Sequence, residues 1–330
     1  THPALPEALH NLQGSIIFAP RTLEVRQLTG RTLGGNFSAE GRLEGDTVFW
    51  RGTRATFQVH TATNLAETLP ALAQRYSTAP MLVDAASSIS GRAELHARLS
   101  GNVAAPETAD FDITLQLTDA RLPVQTPHVV GPLQIERATL VATTATLRLE
   151  GLRGRFGALA FQGSSRLTPE GGVVDLRLEG PLTDVKERMP RLLRRFQLGG
   201  NAVLTHRATA LPAGWLPPLR RWGDLWPMIE PVLHDPDRLM PLVRRMVAVE
   251  HGGQIQVRDV EWTHEAMPTP LRSISGRLQY DATRLWSPEP LSITGNDWSR
   301  AMLSSFEIVF PEGLSTENGP VILRYDGEGE

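Results

Sequence analysis

The sequence predicts a mainly β protein with short helical insertions, folded as an elongated, curled antiparallel sheet built from repeated units. Three observations predict this class. Apolar and polar residues alternate with period two along most of the chain, as in Phe111-Asp112-Ile113-Thr114-Leu115-Gln116-Leu117-Thr118. Helical periodicity is confined to three stretches, and a set of residues recurs at a fixed offset. A strand sends successive side chains to opposite faces, so each alternating segment offers one apolar and one wet face, as antiparallel sheets require.

Taken in order, residues 1–62 form a first β unit, with alternation clearest over 56–61. Residues 63–80 form a capped helix: Asn64-x-x-Glu67 supplies an acceptor and a carboxylate at capping-box spacing, and Leu65, Leu69, Leu72 and Tyr76 share one side. Residues 81–181 form a second β unit, alternating at 94–99, 111–118, 147–150 and 174–179. A second capped helix covers 182–197, opened by Asp184-x-x-Glu187, with Val185, Met189, Leu192, Leu193 and Phe196 apolar. A strand at 198–212 follows. The segment 213–250 is helical in period but carries prolines at 227, 231, 236 and 241, which break it into short pieces. Residues 251–330 form a third, partial β unit.

The recurrence is specific. Leu23, Val25, Leu28, Gly30, Arg31, Phe37, Arg42 and Leu43 return 124 residues later as Leu147, Leu149, Leu152, Gly154, Arg155, Phe161, Arg166 and Leu167. The capped helix with its proline returns at an offset of 120, and a glycine-led strand follows each copy, at Gly91 and at Gly200. Repeated units stack in a line, each touching its neighbours, which favours an elongated sheet.

Composition narrows the function. Over 330 residues the net charge is −3, against a nucleic-acid surface. Cysteine is absent, so disulfides, thiolate metal sites and cysteine nucleophiles are excluded. The nine histidines are scattered, with no pair at zinc-helix spacing. His234-Asp235-Pro236-Asp237 reads as a helix start, and no nucleophile elbow or phosphate-binding glycine motif occurs. The chain is therefore expected to be non-enzymatic, without cofactor or metal. Beginning at Thr1 without a signal-like segment, it reads as a piece of something larger.

A long sheet with one apolar face and few helices leaves part of that face uncovered, as a trough whose lining joins from unit to unit. The lining candidates are Leu95, Ala97, Leu99, Phe111, Ile113, Leu115, Leu117, Leu147 and Leu149. At ~0.8 kcal/mol per methylene, an acyl chain of about 16 carbons gains on the order of 12 kcal/mol on leaving water for such a trough. Trp215, Trp222 and Trp226 are candidates for a lid, or for a helix capping the sheet. Lys186, Arg188, Arg191, Arg194 and Arg195 form a basic helix face, either solvated or set against anionic headgroups.

The stretch from Gly91 to Leu167 resembles the AsmA-like superfamily (the YhdP and TamB type) of Gram-negative envelope proteins. The carrying residues are Gly91-Arg92-Ala93-Glu94-Leu95-His96-Ala97-Arg98-Leu99-Ser100-Gly101, Leu115-Gln116-Leu117-Thr118-Asp119-Ala120-Arg121-Leu122, Gly131-Pro132-Leu133 and Leu147-Arg148-Leu149-Glu150-Gly151-Leu152-Arg153-Gly154-Arg155-Phe156-Gly157. Residues 12–43 repeat the last part of that pattern. The resemblance implies a taco-shaped groove in the periplasm, tied to the inner membrane by a segment outside this sequence. There it would bind and guide phospholipid, or another acyl lipid, towards the outer membrane. The alternative is a structural scaffold that contacts an outer-membrane protein during assembly.

Overall fold

A computed structural model of the chain describes residues 9–32, 35–45, 52–76, 87–103, 105, 109–125, 130–168, 170–188, 196–211, 251–264, 271–281, 283–294, 301–309, 311 and 322–329. The strands of the first half are β1 (His10–Ala19), β2 (Thr22–Thr32), β3 (Gly35–Glu44), β4 (Arg54–Asn64), β5 (Ser90–Asn102), β6 (Asp110–Gln125), β7 (Val130–Thr143), β8 (Leu147–Phe156) and β9 (Leu159–Thr168). Those of the second half are β10 (Gly171–Pro181), β11 (Phe196–Leu198), β12 (Asn201–Leu211), β13 (His251–His264), β14 (Leu271–Tyr280), β15 (Arg284–Trp286), β16 (Leu291–Thr294), β17 (Ala301–Val309) and β18 (Ile322–Gly329). Helix α1 (Leu65–Tyr76) lies between β4 and β5, and α2 (Leu182–Arg188) between β10 and β11.

Among the described residues, all 18 strands belong to one antiparallel sheet. From β1 to β10 each strand pairs with the next along the chain. β12 then pairs β10 on one side and β13 on the other, while β11 extends the same line against β13. β15 and β16 likewise share one line between β14 and β17, and β18 closes the order. At ~4.8 Å per strand the sheet runs roughly 70 Å in the hydrogen-bonding direction. The meander keeps β4 and β10 parallel, so α1 and α2 leave the same end of the sheet.

One device recurs along that end. Gly14, Gly91 and Gly200 have positive φ, and each is pressed against a neighbouring strand at a residue that follows another positive-φ position: Gln27, Asp119 or Asp259. A side chain on these glycines would lie 2.8, 2.5 and 2.8 Å from the Cα of Leu28, Ala120 and Val260. Such bulges bend a strand and increase its twist, which curls the sheet.

The 124-residue recurrence also acquires a cause. Gly30 stands opposite Phe37, and Gly154 opposite Phe161. Each ring lies over its glycine, where a β-carbon would collide with it. Phe57 covers Gly41 and Tyr280 covers Gly253 in the same way. The repeated pair is one cross-strand packing unit used twice.

Asn64 caps α1, its Oδ1 accepting from Ala66 N–H at 3.1 Å. Leu65 is buried in a cluster with Ala93 and Ala120, at whose margin the partly buried Leu69, Leu115 and Leu117 pack. The second helix departs from the expected cap. It starts at Leu182, whose N–H donates to the Gly200 carbonyl at 2.9 Å, so the helix entrance docks directly on the next strand line. Asp184 falls in the first turn, and its carboxylate accepts from Ala158 N–H at 2.9 Å in the β8–β9 turn.

Candidate apolar groove

Register decides which side chains share the inner face. One row runs Leu28, Ala39, Val59, Ala97, Ile113, Ala142, Leu147, Leu167, one residue from each strand from β2 to β9. The next runs Phe37, Thr61, Leu95, Leu115, Leu140, Leu149 across β3 to β8. A third joins Gly41, Phe57, Leu99 and Phe111, and Leu117 faces Ala93 and Ala138. All nine lining candidates therefore lie on one face, in adjoining rows. The opposite face carries Ser38, His60, His96, Thr114, Val141 and Arg148, with Glu40, Gln58, Arg98 and Asp112 in the next row.

The lining is neither bare nor sealed. Phe111 is buried, at 4% exposure, but Leu95, Ala97, Leu99, Ile113, Leu115, Leu117, Leu147 and Leu149 are only partly buried. Alternation along a half-covered sheet produces this pattern, since each residue is shielded by its row neighbours while its tip stays accessible. α1 covers one end of the face through Leu65 and Leu69.

The far end differs from the expectation of one accessible trough along the whole chain. Val257, Val260, Ile274, Leu278, Leu291, Ile293, Phe306 and Ile308 form a closed core, with Leu291 and Ile293 only 1% and 2% exposed. Leu182 of α2 packs on it. Over β13 to β17 the apolar face is filled by its own side chains, whereas over β2 to β10 smaller buried clusters around Phe111, Ala142 and Leu167 and around Leu65, Ala93 and Ala120 leave the rest of the face partly exposed.

Between the two regimes the inner face carries a polar pair. Leu176, His206, Gly253, Tyr280, Leu285 and Ile308 form a row from β10 to β17. His206 Nδ1 and the Tyr280 hydroxyl are 2.7 Å apart, with rings stacked at 5.9 Å. Burial pushes the Tyr280 phenol up to about 12.

At the β1 edge the apolar face is uncovered. Leu12, Ile16 and Phe18 are 50%, 52% and 75% exposed, and Ile16 and Phe18 stand opposite Val25 and Leu23. The sequence signal for this strand was weak, because Ile16-Ile17-Phe18 interrupts the alternation. The lid candidates Trp215, Trp222 and Trp226, the 213–250 helical segment, and Arg191, Arg194 and Arg195 lie outside the described residues.

The polar face holds what the sequence reading overlooked. His60 pairs directly with His96 across β4 and β5, and Glu94 sits two residues before His96 on the same face. Both imidazole Nε2 atoms reach Glu94 Oε1, at 2.8 and 3.1 Å. Hydrogen bonds from His60 and then His96 hold the Glu94 carboxyl below the usual range. His60 and His96 stand in the wall of an open depression of about 840 Å³ whose other lining includes Arg26, Ser38, Glu40, Gln58, Arg98 and Asp112. Its charged lining makes it unfit for an acyl chain, so the candidate lipid face is the apolar one. No known protein family, characterised protein or solved structure matches the chain.

Proposed function

We propose that the protein binds acyl lipid, phospholipid above all, along the open apolar face of β2 to β10 and guides it without chemistry. The observation that carries this reading is the row from Leu28 to Leu167, apolar in every strand from β2 to β9 and partly buried over most of its length. A surface of this kind replaces water around an acyl chain at no cost in unpaired polar groups. The curled meander with short helical insertions supports assigning the chain to the AsmA-like superfamily, and with it a periplasmic setting between the inner and outer membranes.

Photo-crosslinkers placed at Leu115 on the open face, Gln116 on the polar face and Ile293 in the closed core test the reading. With phospholipid vesicles, Leu115 is expected to label lipid and the other two positions to remain unlabelled. Equal labelling at Leu115 and Gln116, or none at Leu115, would overturn it. A second reading, a scaffold for an outer-membrane protein, is favoured by β1, whose residues are all exposed and which offers an apolar edge for strand addition. It predicts a protein crosslinked at Phe18 and no lipid at Leu115.

A further inference from the structure

We propose that His60, Glu94 and His96 form a binding site for one divalent transition metal of the zinc type, on the polar face away from the apolar rows. The site is preassembled by register. His60 and His96 are cross-strand partners, and the period of two brings Glu94 to the same face of β5. The two rings stack at 4.2 Å with 10° between their planes, so both Nε2 atoms aim at one point, now taken by Glu94 Oε1. All three donor atoms lie within 4.8 Å of one another.

The donor set selects the ion. Two imidazole nitrogens and one carboxylate oxygen suit zinc, nickel or copper, whereas calcium and magnesium prefer all-oxygen shells. Small withdrawal of the Glu94 carboxylate makes room for an ion at ~2.0–2.1 Å from each nitrogen. The side chains are 42%, 45% and 51% exposed for His60, Glu94 and His96, which leaves a fourth position open to water. Arg98, next on that face, stands across from Asp112, so its charge has an acidic neighbour of its own. In the present hydrogen-bonded arrangement each Nε2 donates to the shared oxygen; a metal takes that nitrogen once the ring proton sits on Nδ1, so the ion replaces both hydrogen bonds to Glu94. The bound ion joins β4 to β5 where the chain between them leaves the sheet to form α1.

Calorimetric titration of chelator-treated protein with zinc chloride tests the site. The expected result is one ion per chain and an affinity about 100-fold or more weaker in His60→Ala and in His96→Ala, since loss of even an outer partner costs 10–100-fold. Unchanged zinc affinity in the His60→Ala/His96→Ala double variant would overturn the site, as would no binding by the wild type. Circular dichroism checks that the variants keep their strand signal. Should they lose it, electron paramagnetic resonance of copper-loaded wild type decides: coupling to two imidazole nitrogens supports the site, and any smaller number refutes it.

Discussion

Replacing Leu149 with glutamate separates binding on the apolar face from stability of the sheet. Leu149 stands between Leu140 and Ser165 in its row and is partly buried. The substitution forfeits about 1–2 kcal/mol of side-chain burial, which lowers the thermal midpoint by roughly 1.5–3 °C in a chain of this size. The fold survives because the carboxylate tip reaches water across the open face. An acyl chain laid against it strips that water, at about 2.5–3.5 kcal/mol for a charge in hydrocarbon. With about 1.4 kcal/mol per factor of ten, phospholipid binding falls by about 100-fold. Fluorescent phospholipid binding, read beside a thermal melt, measures both effects. The control is Arg166→Glu, on the opposite face across from Arg148, which is expected to leave lipid binding unchanged. Normal binding by Leu149→Glu, or an equal loss in Arg166→Glu, would refute the reasoning.

Gly154→Ala is expected to cost about 1–3 kcal/mol through overpacking, because its β-carbon meets the Phe161 ring and the Gln134 carbonyl. Adding Phe161→Leu should restore part of the loss in urea denaturation, and full additivity would count against the ring as the cause. Burial tends to raise the Asp281 carboxyl, but hydrogen bonds from the Thr283 and Arg284 backbone and side chains outweigh it and hold the group below its usual range. Its stabilisation is therefore present above the unfolded value and lost as pH falls through the folded one. Melts of Asp281→Asn should lie below wild type at neutral pH and converge with it in acid. Tyr280 runs the other way: raised to about 12, its phenol stabilises the fold below the unfolded value and that contribution is lost as pH rises towards 12. Ultraviolet titration should show a late tyrosine step that Tyr280→Phe removes.

How much of this was legible depended on how local each signal is. Alternation at 94–99 and 111–118 marks β5 and β6 because each residue's environment is set by its neighbours two positions away. The Gly30/Phe37 and Gly154/Phe161 recurrence was visible as letters, but its meaning needed register, which places each ring over its glycine. β7 was missed because Ala138-Thr139-Leu140-Val141-Ala142 blurs the apolar period with small and β-branched residues. The His60–His96 pair was unreadable for a stronger reason. A helix intervenes between the two strands, so their adjacency follows from pairing across a long insertion and not from any spacing. The same limit hid the closed core, since alternation says that β13 to β17 have an apolar face and not what will cover it.

That asymmetry bears on how a lipid-guiding face must work. A trough open along its whole length would offer an acyl chain equal stations everywhere, whereas here the lining is partly accessible over β2 to β10 and filled by its own side chains over β13 to β17. Displacing a packed core residue to admit lipid forfeits its burial, about 1.5–3 kcal/mol for each large side chain, so the closed end resists lipid by an amount that grows with every residue moved. His206 and Tyr280 sit on the inner face at the change between the two regimes, where two bonded polar tips interrupt an otherwise apolar row. At the other extreme Phe18, 75% exposed, leaves the apolar face uncovered at the β1 edge. If the proposed lipid binding holds, acyl chains would enter and leave by the β1 side, and the His206–Tyr280 pair would mark the depth they reach.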